Sequence, residues 1–316
     1  MEIKCDSASL IRLDLFLSTA LGISRSQIPN LIKNKLITIN GNIAKKAGIL
    51  VKENDIIKID KLESSKQDSA FCIDFDIEII YEDDDILVIN KPPYIATHGA
   101  TSLKESSLVD WLKANNKQLS NISGEKREGI VHRLDKQTSG AMVIAKNNIS
   151  HSSLSLQLQN KTMGRFYIAI IDAPLKSDIV IECNLARNPK NRLKISKQTN
   201  GRYSKSNFYK LLLSKDSKKE LILAKLYTGR THQIRAHLES INRHIVGDSL
   251  YGYKGENLRV MLHSYFLYLE HLKNGKMSFR ANIFDDMNSY LENNFDMEMV
   301  GEILKNISFS NFSNSL

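Results

Sequence analysis

The sequence predicts an α+β protein with a mixed, largely antiparallel central sheet, preceded by a small α+β module. Three observations carry this reading. Short β-branched apolar runs recur from residue 77 onward, separated by turn residues. Only a few helical patterns interrupt them, so the strands read as antiparallel neighbours. The first 62 residues hold two helical patterns and an Asn-Gly hairpin, enough for a compact unit.

In chain order, Leu10 to Leu21 reads as a helix, with Leu13, Phe16, Leu17, Ala20 and Leu21 on one face and Gly22 at its end. Ser24 with Gln27 makes a capping-box pattern for a second helix, Arg25 to Lys33. Leu36–Asn40, Gly41 and Asn42-Ile43 read as strand, turn and strand, and Ile56–Ile59 as a last short strand. Residues 62–75 are polar, then weakly apolar, and read as a linker. Ile77–Tyr81 and Ile86–Ile89 form a strand pair, stopped by Lys91-Pro92-Pro93 because proline cannot donate to a ladder. Helices are expected at Leu108–Ala114, Leu154–Asn160 and Thr231–Leu238. Residues 285–316 are Asn- and Ser-rich around one amphipathic segment, expected to be a peripheral helix and a loose tail.

The 316 residues can bury a sizeable core, and 42% hydrophobic with 25% charged residues are globular values. No apolar run approaches the roughly 20 residues of a membrane span, and the N-terminus has no apolar signal region. Cys5, Cys72 and Cys183 are odd in number and far apart, which points to a reducing cytoplasm without disulfides or a zinc site. The net charge of +9 is unevenly spread: residues 62–90 hold nine Asp/Glu against one Lys, residues 161–235 seventeen Lys/Arg against five Asp/Glu. That basic concentration is the footprint of a nucleic-acid binder, and interleaved Phe166, Tyr167, Tyr203, Phe208 and Tyr209 could stack on unpaired bases, although most belong in a core.

Three segments carry chemistry. In Gly129–Gly140 an ionisable cluster, His132, Arg133 and Asp135, sits between Ile130-Val131 and Ala141–Ala145, with Thr138, Ser139 and Gly140 as turn residues. A carboxylate on a loop held by two core strands is well placed for catalysis. In Gly164–Ile170, Arg165 precedes Tyr167, which carries both a ring and a hydroxyl into an apolar strand. In Tyr227–Leu238, Gly229 ends a strand, Thr231 can cap a helix, and Arg230 stands at the junction. His232 and Arg235 share one helix face. His232 and His237 are five apart, which does not match a helical metal pair.

His132-Arg-Leu-Asp135 with Thr138-Ser-Gly140, Arg165-x-Tyr167, and Thr228-Gly-Arg-Thr-His-Gln-Ile-Arg235 together resemble the RluA-type pseudouridine synthases. Asn90-Lys91-Pro92, Gly247-Asp248-x-x-Tyr251-Gly252 and Leu262-His263 agree with the same family. Arg12-Leu13-Asp14, Ser24–Gln27 and Ile37–Gly41 followed by Lys45 and Lys46 resemble the S4-like RNA-binding module, also called the αL motif. Glu78–Tyr81, the Lys136-x-Thr138 form of the aspartate loop and Arg187-Asn-Pro-Lys190 resemble the RluD branch, which acts on large-subunit rRNA. Ser264 and Leu272 depart from the pattern, where the family usually has Ala and Pro.

The resemblance implies a pseudouridine synthase fold, divided as an S4-like domain at 1–62, a linker at 63–76, a catalytic domain at 77–284 and a peripheral C-terminal segment at 285–316. It implies isomerisation of uridine to pseudouridine in structured RNA, most nearly 23S rRNA or its assembling subunit, by a cytoplasmic monomer that needs no cofactor or metal. Asp135 would act at the ribose, by attack or by assisting proton removal. Arg230 would pair with Asp135, Tyr167 would stack on the uracil and help remove the C5 proton, and Arg133 would fill the space left by the flipped uridine. His132 would support the loop. His132, Arg165, Arg235, Arg12, Arg25, Lys33, Lys45 and Lys46 complete the expected RNA contacts. The alternatives are a tRNA enzyme of the same family and a non-catalytic RNA-binding assembly factor. A glycosidase would normally need two working carboxylates, and no second acid stands out.

Overall fold

The computed structural model describes residues 1–7, 9–21, 25, 28–60, 73–99, 105–124 and 127–308. The N-terminal module contains β1 (Glu2–Lys4), β2 (Ile11–Arg12), α1 (Leu13–Leu21), α2 (Ile28–Lys33), β3 (Ile37–Ile39), β4 (Asn42–Ile43), β5 (Leu50–Val51) and β6 (Ile56–Ile59). Its antiparallel sheet runs β1-β6-β3-β4, and β2 pairs with β5. The first helix begins at Leu13 rather than Leu10 because Ile11 and Arg12 pair with Val51 and Leu50 instead. Leu13, Leu17, Ile28, Ile37, Val51 and Ile57 bury themselves in a separate small core. The hairpin predicted at Asn40-Gly41 is present, with both residues at positive φ (49° and 82°). Asn40 also accepts the Ile56 N–H at 2.8 Å and donates to Asp55 at 2.9 Å, tying the turn to β6. The Ser24–Gln27 capping box and most of the expected linker lie outside the described residues.

The larger unit adds β7 (Glu78–Glu82), β8 (Ile86–Lys91), α3 (Leu108–Ala114), β9 (Ser139–Ala145), α4 (Asn148–Asn160), β10 (Gly164–Ile171), β11 (Ile179–Arg187), β12 (Ile195–Lys197), β13 (Arg202–Leu213), β14 (Glu220–Leu226), α5 (Gln233–Glu239), β15 (Leu262–His271), β16 (Gly275–Arg280), α6 (Asp285–Asn294) and α7 (Met297–Lys305). Ten strands form one sheet in the order β12-β11-β13-β14-β10-β15-β9-β8-β7, with β16 against β15. Among these strands β9 and β15 pair in parallel; the other pairings are antiparallel. The central strands are covered on both faces, which is why β8, β9 and β10 are buried along their whole length. Leu87, Ile89, Met142 and Ile144 enter the main core; Ile86, Val88, Val143 and Ala145 pack with Leu154 of α4 on the other side.

Helix α3 matches its predicted span because Ser107 and Asp110 form a complete capping box. Helix α4 starts six residues before the predicted Leu154, at a cap made by Asn147 and Ser150. Residues 285–308 are not peripheral: they form two helices, and Met287, Leu291, Phe295, Val300 and Leu304 join the main core, while the expected loose tail beyond 308 lies outside the described residues. The chain breaks at Phe295 between them, so the apolar positions are shared by two short helices rather than the single one expected. Among the described residues no helix is long and apolar enough to cross a membrane.

Candidate active site

Asp135 lies on the loop that leads into β9, its side chain 18% exposed. Thr97 clamps the preceding residue from both sides, donating to the Leu134 carbonyl at 2.8 Å and accepting the Leu134 N–H at 3.3 Å. The Asp135 carbonyl accepts the Thr138 N–H at 3.0 Å. Ser139 and Gly140, expected in the turn, are instead the first residues of β9, in register with His263 and Ser264 of β15. Gly140 makes that parallel pairing possible: at φ +115° an added Cβ would stand 2.4 Å from the Ser264 carbonyl oxygen. Ser139 holds His263 Nδ1 at 2.9 Å, and Ser264, the departure from the family pattern, donates to the Ala141 carbonyl at 3.0 Å.

Register then carries the loop to its neighbours. Gly140 pairs with Ser264, Ser264 with Tyr167 of β10, and Tyr167 with Ala224 of β14. Asp135 and Tyr167 therefore line the same cleft, of about 1090 Å³. Tyr167 is buried, and burial raises its phenol above the ordinary value, with Arg165 and the Ser264 hydroxyl opposing. Among the described residues the cleft is lined by eight Lys or Arg side chains and a single carboxylate, Asp135.

The structure corrects the expected partner of that carboxylate. Arg230 is exposed and its Nε donates to the Tyr203 carbonyl at 3.0 Å; it makes no ion pair with Asp135. Arg235 Nη1 and His232 Nε2 stand 3.7 and 3.8 Å from Asp135 Oδ2 instead. The reason lies in the junction. His232, not Thr231, stands at the N-cap position of α5, in a left-handed conformation (φ 53°) and with no side-chain capping bond, and α5 begins at Gln233. The first turn then aims residues 232 and 235 into the cleft and leaves 230 at its rim. Arg235 is held by Asp248 through two hydrogen bonds of 2.7 Å and lies over the Tyr251 ring, 4.7 Å from its centroid. His232 Nδ1 meets the Tyr251 hydroxyl at 3.0 Å.

The remaining predicted residues fall into two groups. His132 and Arg165 are buried and line the cleft; Arg133 lines it while exposed. His132 Nε2 accepts the Val143 N–H at 3.1 Å, which ties the loop to β9. The others lie in the N-terminal module, away from this cleft's lining. Arg12 and Arg25 both bind Asp14, at 3.0 and 2.8 Å, and hold its carboxyl well below the usual range. Lys33, Lys45 and Lys46 are exposed.

Four residues went unassigned in the sequence reading: Lys91, His232, Asp248 and Tyr251. Lys91 is fully buried, donates to the Pro92 and Ile95 carbonyls at 2.6 and 2.9 Å, and feels the Asp135 charge. Burial lowers its pKa to about 7. The signals were present in Asn90-Lys91-Pro92 and Gly247-Asp248-x-x-Tyr251-Gly252, but neither pattern states what it touches. Among the described residues no group of three His, Cys, Asp or Glu side chains is arranged to hold a metal. What converges is one fixed carboxylate, a buried ring and a cationic wall, a combination suited to acting on one nucleotide of a polyanion.

Residues 85–240 match the RNA pseudouridylate synthase family and residues 11–57 match the S4 domain. The chain is 48% identical to an RNA pseudouridine synthase of Helicobacter pylori (strain J99), over 93% of each chain. It is 34% identical to the ribosomal large subunit pseudouridine synthase D of Neisseria meningitidis, over 87% of this chain and 76% of the relative. Its fold is similar to human RNA pseudouridylate synthase domain containing 1, with a TM-score of 0.57 at 21% identity, covering 73% of this chain and 96% of that one.

Proposed function

Because the chain belongs to the RluA-type RNA pseudouridine synthases, which are isomerases, and carries an S4 domain in front, we propose that it modifies specific uridines of structured large-subunit ribosomal RNA with Asp135 as the essential carboxylate. The observation that carries the residue assignment is that, among the described residues, Asp135 is the single carboxylate in a cleft that eight Lys or Arg side chains also line. The reaction breaks the C1′–N1 bond of uridine, turns the uracil and joins C5 to C1′. It involves no net redox change and no net hydrolysis, so one carboxylate suffices, acting by attack at C1′ or by proton removal at the ribose. Arg235 orients Asp135, and Arg235 is itself oriented by Asp248 and Tyr251. Tyr167 stacks on the uracil; with its phenol raised by burial it stays neutral, which favours stacking over a role as base. Exposed Arg133 is available to fill the place of a flipped nucleotide.

The ribosomal target is supported by the large-subunit enzyme among the relatives, and RNA binding by the basic stretch at residues 161–235. The S4 domain supplies affinity and target choice. The test is to map pseudouridine in total RNA from cells lacking the protein, complemented with wild type or Asp135→Asn. Sites in large-subunit rRNA should return with wild type alone. Sites confined to tRNA would overturn the target, and sites restored by Asp135→Asn would overturn the catalytic assignment.

A further inference from the structure

We infer that Arg165 and His132 form a subsite for a phosphate group of the bound RNA, built into the wall of the cleft beside the reacting nucleotide. The inference rests on the reading of the cleft as an RNA site and names the ligand atoms that two of its residues take.

Arg165 is 8% exposed, yet its guanidinium makes no hydrogen bond or ion pair with any described residue, and its Nε is closed to solvent without a partner. The other buried arginines differ. Arg235 holds Asp248 and Arg259 holds Asp286, each through two hydrogen bonds. A buried cation without a counter-charge is costly, and an anionic ligand offsets that cost.

His132 supplies a second donor. Its Nε2 accepts the Val143 N–H at 3.1 Å, which fixes the ring proton on Nδ1. That Nδ1–H is buried and has no acceptor. Burial, aided by the charge of Arg165, holds His132 neutral, so the pair carries one positive charge and donors without an acceptor. Both residues line the cleft. Gly229 lies beside the guanidinium, where an added Cβ would stand 3.5 Å from Nη2, in ordinary van der Waals contact.

A tetrahedral oxyanion satisfies both groups: the planar guanidinium takes two oxygens and the imidazole N–H one. A uracil carbonyl would leave the guanidinium charge unbalanced. The cleft's own carboxylate, Asp135, is turned to Arg235 and His232.

The test uses the full-length protein labelled with ¹⁵N in arginine and histidine, titrated with inorganic phosphate at constant ionic strength. The Arg165 Nε–H and His132 Nδ1–H signals should shift together and saturate, and Arg165→Met should abolish the shift at His132. In parallel, without phosphate, Arg165→Met should melt at or above the wild-type temperature, and phosphate should no longer raise it. No shift at these two groups, an equal shift with chloride, or a shift with uridine alone would overturn the subsite. So would a melting temperature several degrees lower in Arg165→Met, the mark of a merely structural arginine. Neither measurement depends on turnover, so failure here leaves the proposed reaction standing, and loss of the proposed reaction leaves these readouts intact.

Discussion

Arg235 grips Asp248 through two parallel hydrogen bonds, Nε to Oδ2 and Nη2 to Oδ1, both 2.7 Å long. The third nitrogen, Nη1, is left facing Asp135 at 3.7 Å. Asp248 is buried and also accepts the Tyr251 N–H at 3.2 Å, so it is held as firmly as it holds. The guanidinium plane is thereby set from behind, and Asp135 is faced by a residue whose own orientation is fixed elsewhere.

Asp248→Asn keeps the shape and removes the charge-assisted pair. Misplacing a positioning group by about 1 Å can cost about 10²-fold in rate. The expected result is a single-turnover rate lower by about that factor, with RNA affinity within a few-fold. An unchanged rate would show that Arg235 holds its place without Asp248.

Arg235→Lys and Arg230→Lys should behave differently. Lysine keeps the charge but loses the planar fork, so Arg235→Lys should lose orders of magnitude in single-turnover rate at saturating RNA. Arg230→Lys should turn over nearly as wild type at saturation. Arg230→Ala should bind RNA more weakly and reduce the salt slope of binding by about one. The opposite pattern would return Arg230 to the role of partner to Asp135.

Gly140→Ala puts a Cβ against the Ser264 backbone at a φ that side chains rarely adopt. The loss of stability should reach about 3 kcal/mol or more, measured by urea unfolding. A loss below about 1 kcal/mol would mean that β9 and β15 can part at little cost.

Lys91 makes stability depend on pH. Its pKa is drawn down to about 7 in the folded chain, chiefly by burial, against an unfolded value near its ordinary one of about 10.4. Between those values the unfolded chain binds more protons, so stability contributed by this group rises as pH rises from about 7 towards 10 and is lost as pH falls back to 7. Lys91→Met should show a flatter urea midpoint across that window. Parallel pH curves for the two proteins would exclude this linkage.

Much of the architecture was legible because its signals are local. Asn40-Gly41 demands a positive φ at both residues, Ser107 with Asp110 caps α3, and the apolar runs of β8, β9 and β10 state their own burial. The candidate carboxylate was legible for a similar reason: an aspartate between two core segments can only be presented on a loop. The C-terminal helices were misread as peripheral because composition reports polarity, whereas their few apolar residues find the main core through packing across the sheet.

The sequence by itself determined the fold class, the two-part organisation, the family and the loop that carries Asp135. Only the tertiary structure decided which arginine reaches that aspartate. Arg230 and Arg235 lie five residues apart in one motif and have identical side chains, so no local pattern separates them. The choice is made by the left-handed turn at His232, which sets the phase of α5, and by Asp248 arriving from a distant loop to orient one guanidinium. Long-range geometry of that kind depends on the whole packed sheet, and no stretch of sequence contains it.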